Sequence, residues 1–142
     1  MIYFVSGHRD ITKEEFEKYY IMALRTAYYE DDKPEFVVGD YEGVDKMAMD
    51  YIAENFMCPL TIYHMLDKPR HTPSVTDRIP ICYHGGYKTD EERDSAMTRA
   101  SDIDIAFVKK DRWDGGTAQN IKRRHSSCLL YTSPSPRDGL LS

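Results

Sequence analysis

Short apolar runs of strand length alternate along this chain with longer segments whose apolar residues recur at helical spacing. That alternation constrains the fold more than any other feature. Ile2-Tyr3-Phe4-Val5, Phe36-Val37-Val38, Leu60-Thr61-Ile62-Tyr63 and Ile103 with Ile105-Ala106-Phe107-Val108 are the runs, and the first two stop at Gly7 and Gly39. Between them, Phe16, Tyr19, Tyr20, Ala23, Leu24, Ala27 and Tyr28 mark an amphipathic helix, opened by a Thr12/Glu15 capping box and closed at Asp31 to Pro34. Val44, Met47, Ala48, Tyr51 and Ile52 mark a second helix. Thr89 with Glu92 opens a third through Ala96, Met97 and Ala100, and Gly115-Gly116-Thr117 opens a last one. Strands alternating with helices predict an α/β fold, a mainly parallel sheet covered on both faces in three layers. In such sheets ligands sit beyond the carboxyl ends of the strands, where strand order reverses. Residues 66–88, with Pro69, Pro73, Pro80 and Gly85-Gly86, read as one long connection of the kind that serves as a lid or binding loop.

Composition narrows the function classes. With 142 residues and 41% hydrophobic content, one globular domain is expected. The net charge of −5 speaks against a nucleic-acid partner unless a local patch such as Lys122-Arg123-Arg124 supplies one. No run approaches a membrane span or a signal peptide. Cys58, Cys82 and Cys128 share no paired spacing, which points to free thiols and a cytoplasmic location. His64, Cys82, His71 and His84 have no recognised ligand spacing, so no metal and no cofactor is expected. A homo-oligomer is compatible with the sequence.

Residues 128–138, Cys-Leu-Leu-Tyr-Thr-Ser-Pro-Ser-Pro-Arg-Asp, resemble the conceptual translation of a transposase-type sequencing adapter. The domain is therefore expected over residues 1–127, truncated at its C-terminus, with 128–142 a non-native tail. The alternative is an ordinary Ser/Pro-rich tail.

Three loops at the strand ends carry the candidate ligand-binding residues. Ser6, Gly7, His8 and Arg9 follow the first strand. Arg9 offers a fork for phosphate or carboxylate, and His8 a group that titrates near neutrality; the alternative is an Arg paired with Asp10 or Asp40. Gly39, Asp40, Gly43 and Asp45 follow the second strand. Gly39 can take positive φ, Gly43 lets a ligand approach the backbone, and Asp45 is placed to cap the helix or hold a ribose hydroxyl. Gly115, Gly116 and Thr117 repeat that geometry as a phosphate cradle. Either turn could equally be a tight βα connection. Arg93 near a helix start is unfavourable by dipole and so hints at a ligand, unless it pairs with Glu91, Glu92 or Asp94 on a solvated face. Of Asp102 and Asp104, one is expected to face water. Lys68, Arg70, His71 and Arg78 either cover ligand phosphates or form a solvated loop.

Together these residues resemble the SLOG superfamily, a Rossmann-like group that includes the lonely-guy phosphoribohydrolases, the DNA-processing protein family and many bacterial and phage proteins. The resemblance spans residues 1–124. Gly7-His8-Arg9 resembles its Gly-Ser/His-Arg, and Gly39 to Asp45 its Gly-Gly-x-x-Gly-Ala/Val-Asp turn with Asp40 in place of the second glycine. Arg93, Met97 and Ser101-Asp102 fit its Arg-x-x-x-Met-x-x-x-Ser/Ala-Asp, and Gly115-Gly116-Thr117 its closing Gly-Thr signature. The resemblance implies binding of a nucleotide or nucleotide-derived molecule, a nucleoside monophosphate or an ADP-ribose-like ligand. The hydrolases use a glutamate two or three residues after the Gly-Thr pair. Gln119 and Asn120 stand there, and an amide is no carboxylate base. Asp114 to Asn120 also resembles a stretch of the nucleoside 2-deoxyribosyltransferases, again with Asn120 in the nucleophile's place. These departures favour a binding module. The alternatives are an N-glycosidic-bond enzyme using Asp45, Asp102 or Glu42 instead, and a nucleic-acid accessory protein.

Overall fold

The computed structural model describes residues 1–109, 112 and 115–126; the side chains of residues 125 and 126, and the tail expected from residue 128, lie outside the described residues. Five strands form one all-parallel sheet: β1 (Ile2–Ser6), β2 (Glu35–Gly39), β3 (Leu60–Met65), β4 (Ile81–Tyr87) and β5 (Ile103–Ala106). Five helices are interleaved with them: α1 (Lys13–Tyr19), α2 (Ile21–Glu30), α3 (Val44–Asn55), α4 (Asp90–Ala100) and α5 (Gly116–Ser126). The strand order is β4-β3-β2-β1-β5. The chain walks outward from β1 to β4, then returns to lay β5 on the other side of β1. The reversal therefore falls between the carboxyl ends of β1 and β5.

Both faces of the sheet are covered, which is why the inner strands read as unbroken apolar runs. Tyr3, Val5, Phe36, Val38, Leu60, Ile62 and Ile105 point to one face, where Phe16, Leu24, Ala48 and Ile52 of α1, α2 and α3 meet them. Phe4, Val37 and Tyr63 point to the other and pack on Met97 of α4, while Ala106 and Val108 meet Ala118 and Ile121 of α5. The result is a three-layer, Rossmann-like α/β domain.

The helix expected after Thr12 is divided at Tyr20. Thr12 and Glu15 form the full capping box. The Tyr20 hydroxyl, wholly buried, donates to the Ser6 carbonyl at 2.7 Å and accepts the Phe107 amide at 3.1 Å. One phenol thus ties the ends of the two strands that flank the reversal. The Thr89 hydroxyl caps α4 through the Glu92 amide, but Glu92 returns to the Lys88 amide at 3.3 Å, so no reciprocal box forms there.

The connection read as spanning 66–88 contains a strand. β4 lies on the sheet edge with most of its residues exposed, so no buried face marks it in the sequence. Its Gly86 has φ +92° and the pairing with β3 is irregular near Met65, both of which disguise a strand further. The loop proper is 66–80. It is pinned to α3, where the Lys46 ammonium donates to the Thr72 carbonyl at 2.8 Å, the Ser74 amide donates to Asp50 at 2.8 Å, and Arg78 donates to the Ala53 carbonyl at 2.8 Å.

Asp102 is exposed and accepts the Ile2 amide at 2.8 Å, at the amino end of the sheet. Asp104 is fully buried and pairs with the equally buried Arg124 of α5 at 3.0 Å. Arg124 also donates to the Ser101 carbonyl at 2.6 Å and the Thr98 carbonyl at 3.2 Å. The Lys122-Arg123-Arg124 tract therefore does not present three cations to solvent. Replacing Arg124→Met should leave Asp104 charged in an apolar setting and cost about 3–5 kcal/mol. Urea unfolding of the variant measures this, and a loss under 1 kcal/mol would show that the pair does not anchor α5.

Candidate functional site

α4 enters the reversal point with Asp90, Arg93, Asp94 and Met97 on one face, the i, i+3, i+4, i+7 spacing of a helix. With Ser6 of β1, Tyr41, Asp45 of α3, and Gly116, Thr117 and Asn120 of α5, these residues line a cavity of about 230 Å³. A roomier cavity of about 490 Å³ runs along β5 between Tyr3, Met22, Ala23 and Phe107. Its lining is mostly apolar, with Glu30 the one carboxylate in it, whereas the smaller cavity gathers buried charged groups at the strand reversal.

Arg93 is 4% exposed and carries the cavity floor. Its Nη1 donates to Asp40 Oδ1 at 2.7 Å and lies 3.3 Å from Asp90, while Nη2 and Nε donate to Asp94 at 2.9 and 3.2 Å. Asp45 is 4.0 Å away. A pair with Glu91, Glu92 or Asp94 on a solvated face was one expectation; Asp94 is indeed a partner, but the guanidinium is buried and shared by four carboxylates. Asp40, fully buried, is bridged in turn to Arg70, which gives it the backbone amide at 2.8 Å, Nε at 3.2 Å and Nη2 at 2.9 Å. Burial pushes Asp40 up, but Arg70 and Arg93 more than offset this and hold it at about 2. Burial dominates at Asp45 and lifts it to about 7, against the pull of Arg93 and with the push of Asp94. Burial also raises Asp94, although Arg93 and an Asn120 hydrogen bond oppose the rise.

The glycines serve packing more than ligand approach. A side chain at Gly7 would collide with the Tyr20 hydroxyl and Val44, and one at Gly39 with Asp45 and Arg93. Gly39 does not adopt positive φ; Gly43 does, at +78°. The space above Gly43, expected to admit a ligand, is filled by the backbone of Arg9. Gly116 opens α5 with free space around it and lines the cavity. Gly115 precedes it, donating to the Arg112 carbonyl at 3.2 Å. Thr117 is buried on the same wall.

His8 serves the backbone. Its Nε2 accepts the Lys109 amide at 2.9 Å, which closes the loop after β5 onto the loop after β1. Asp10 pairs with Arg112 through two bonds of 2.6 and 2.7 Å on the same seam. Arg9 forms no ion pair within 4.0 Å with Asp10 or Asp40, though the Glu42 and Asp10 charges act on it, and it donates to the Tyr41 hydroxyl at 2.9 Å. Asp45 accepts the Tyr41 amide at 3.2 Å, which makes it a loop anchor within the cavity and not a helix cap.

Ser6, Asp45, Arg93, Gly116 and Thr117 are thus brought together in the lining, with Asp40 directly behind Arg93. Asp90, Asp94, Asn120 and Tyr41 share that lining, and Arg70 of the 66–80 loop reaches it through Asp40 and Asp90; of these, Asp90 and Tyr41 were not singled out from the sequence. The signal for Asp90 and Asp94 in the sequence is their i−3 and i+1 placement about Arg93 at the start of α4. The Ser6 hydroxyl is buried without a hydrogen-bond partner. Glu42 is exposed and outside the lining, and Asp102 is at the far end of the sheet. Among the described residues no group of three or more His, Cys, Asp or Glu side chains is placed to hold a metal ion, and no helix is long and apolar enough to cross a membrane.

No family model, no curated protein and no solved structure matches this chain.

The lifted Asp45 has a consequence for stability. A folded-state value near 7 against an ordinary 3.8 means the folded protein holds a proton that the unfolded chain has lost. This contribution therefore weakens stability as pH rises from about 4 through 7. Asp45→Asn should remove the slope, so that relative to the parent it gains roughly 2–3 kcal/mol between pH 5 and pH 8. Chemical denaturation at both pH values measures it. A difference that stays constant, or shrinks as pH rises, would show that Asp45 is ionised throughout.

Proposed function

We propose that this protein binds a nucleotide-derived small molecule in the cavity at the strand reversal, with the ligand's sugar against the acidic floor. The observation that carries this reading is the gathering of Asp45, Asp90 and Asp94 with a partnerless buried Ser6 hydroxyl at the one place where the sheet changes direction. Carboxylates accept two hydrogen bonds from vicinal hydroxyls, and Ser6 can give or take one. The open start of α5, with Gly116 and Thr117 and no acidic residue in its first turn, forms a wall suited to an oxygen-rich group. The resemblance of the loops to SLOG proteins agrees with this ligand class.

One observation favours a second reading, an enzyme acting at an N-glycosidic bond. Asp45, lifted by burial to about 7, shares the cavity with Asp94, which burial also raises, so two carboxyls able to hold a proton above the usual carboxylate range face one space. Free base released from a nucleoside monophosphate, and lost in Asp45→Asn, would establish it. The burial of Arg124 speaks against a nucleic-acid accessory role.

Thermal unfolding of the protein with nucleosides, nucleoside monophosphates and ADP-ribose tests the main proposal. A ligand at ~100 times its dissociation constant adds about 2.7 kcal/mol, a rise of several degrees. Asp94→Asn should shrink that rise. An unshifted transition across the whole panel would overturn the proposal.

A further inference from the structure

The cavity floor is a poor place for a phosphate. Every nitrogen of the Arg93 guanidinium already faces a carboxylate, and Asp40, Asp45, Asp90 and Asp94 outnumber the two cations they contact, Arg93 and Arg70. A phosphate there would displace made bonds and meet like charge. The mouth is different. Tyr41 lines the cavity and collects two guanidinium groups on one ring: Arg70 lies 4.5 Å from the ring centroid, and Arg9 lies 5.9 Å from it with Nη1 on the hydroxyl. Arg9 is exposed and has no carboxylate within 4.0 Å among the described residues.

Arg70 is built to present one side. Asp40 grips its backbone amide, Nε and Nη2 from a fully buried position, and Tyr41 supports the guanidinium plane. Its other partner is Asp90, 2.8 Å from Nη2 and 47% exposed. An exposed pair of this kind contributes little and exchanges readily, whereas the bonds to Asp40 do not. A planar fork held from behind, with one weak partner in front, is a preorganised oxyanion receptor.

Resting on the nucleotide-binding reading above, we propose that Arg70 and Arg9, gathered on Tyr41, read the ligand's phosphate at the cavity mouth, and that Arg70 exchanges Asp90 for that phosphate. Arg93 then acts as a structural cation beneath the sugar and makes no phosphate contact. The long 66–80 loop, which carries Arg70, is the element that sets the preference between phosphorylated and unphosphorylated ligands.

Calorimetric titration of the full chain with each common nucleoside, its 5′-monophosphate, and inorganic phosphate alone tests the proposal. The parent should bind a monophosphate about tenfold more tightly than its nucleoside, the worth of one charge-assisted contact, and added salt should erode only the phosphorylated arm. Arg70→Gln should reduce that ratio to within about threefold and abolish any binding of inorganic phosphate. Asp90→Asn, which removes the competitor and leaves Arg70 gripped by Asp40, should raise the ratio severalfold. Should Arg70→Gln fail to fold, Asp90→Asn and Arg9→Gln decide the matter, the latter by lowering the ratio. A ratio unchanged in all folded variants, or a nucleoside that binds the parent as tightly as its monophosphate, overturns the phosphate-reading rim while leaving the sugar cavity standing. Binding of neither ligand class overturns both.

Discussion

A single buried guanidinium holds the functional end of this molecule together. Arg93 lies beneath the strand ends with Asp40 from β2, Asp45 from α3, and Asp90 and Asp94 from its own helix around it. A charge at that depth is tolerable only when paired and hydrogen-bonded. The pairing therefore fixes where α4 sits over the sheet, how the loop after β2 turns, and how close α3 starts. Gly39 is part of the same constraint, since a side chain there would strike Arg93 and Asp45. Tyr20 performs the matching task on the opposite face by joining β1 to the segment after β5. The cavity is what remains between these two clamps.

That arrangement sets the charge pattern that the proposed ligand would meet. The floor accepts hydrogen-bond donors because its carboxylates outnumber its cations, and burial keeps one of them, Asp45, able to hold a proton near neutrality. The rim offers cations because Arg9 and Arg70 are drawn onto Tyr41. Polarity thus runs from acidic inside to basic outside, the pattern that the proposed ligand, a sugar carrying its phosphate outward, would require. Asp40 links the two zones. It is one carboxylate answering an arginine on each side, and it stands where the resembled turn has a second glycine.

Much of the fold was legible because burial on both faces leaves unbroken apolar runs. β1, β2 and β3 stand out from the sequence for that reason, and so does the helical spacing from Phe16 to Tyr28. β4 was hidden because an exposed edge strand needs no apolar face, and its glycines and preceding proline imitate a loop. The candidate site was legible in its parts and not in their roles. Ser6, Asp45, Arg93, Gly116 and Thr117 do converge, as a strand-end reading implies. Yet Gly43 yields its space to Arg9, His8 gives its nitrogen to the Lys109 amide, and Arg124 leaves the basic tract for the interior. Such reversals depend on partners far along the chain, as in the pair of Asp104 with Arg124, and no local pattern encodes them. Asp90 gave no signal of its own, because an acid at a helix start is adequately explained by the dipole, and Asp94 was legible only as a surface partner of Arg93.

The amide at position 120 acquires a reason in this setting. Asn120 is buried, accepts a hydrogen bond from Arg123 at 2.7 Å, and bonds to Asp94. An amide can do both at once because it carries an acceptor and a donor. A glutamate there could only accept, so it would repel Asp94 and add a further carboxylate to a cavity already rich in them. An amide at 120 and the presence of Asp94 are therefore two sides of one electrostatic choice. Any glycosidic chemistry in this cavity would draw on the lining carboxylates Asp45, Asp90 and Asp94, with Asn120 holding the last of them in place.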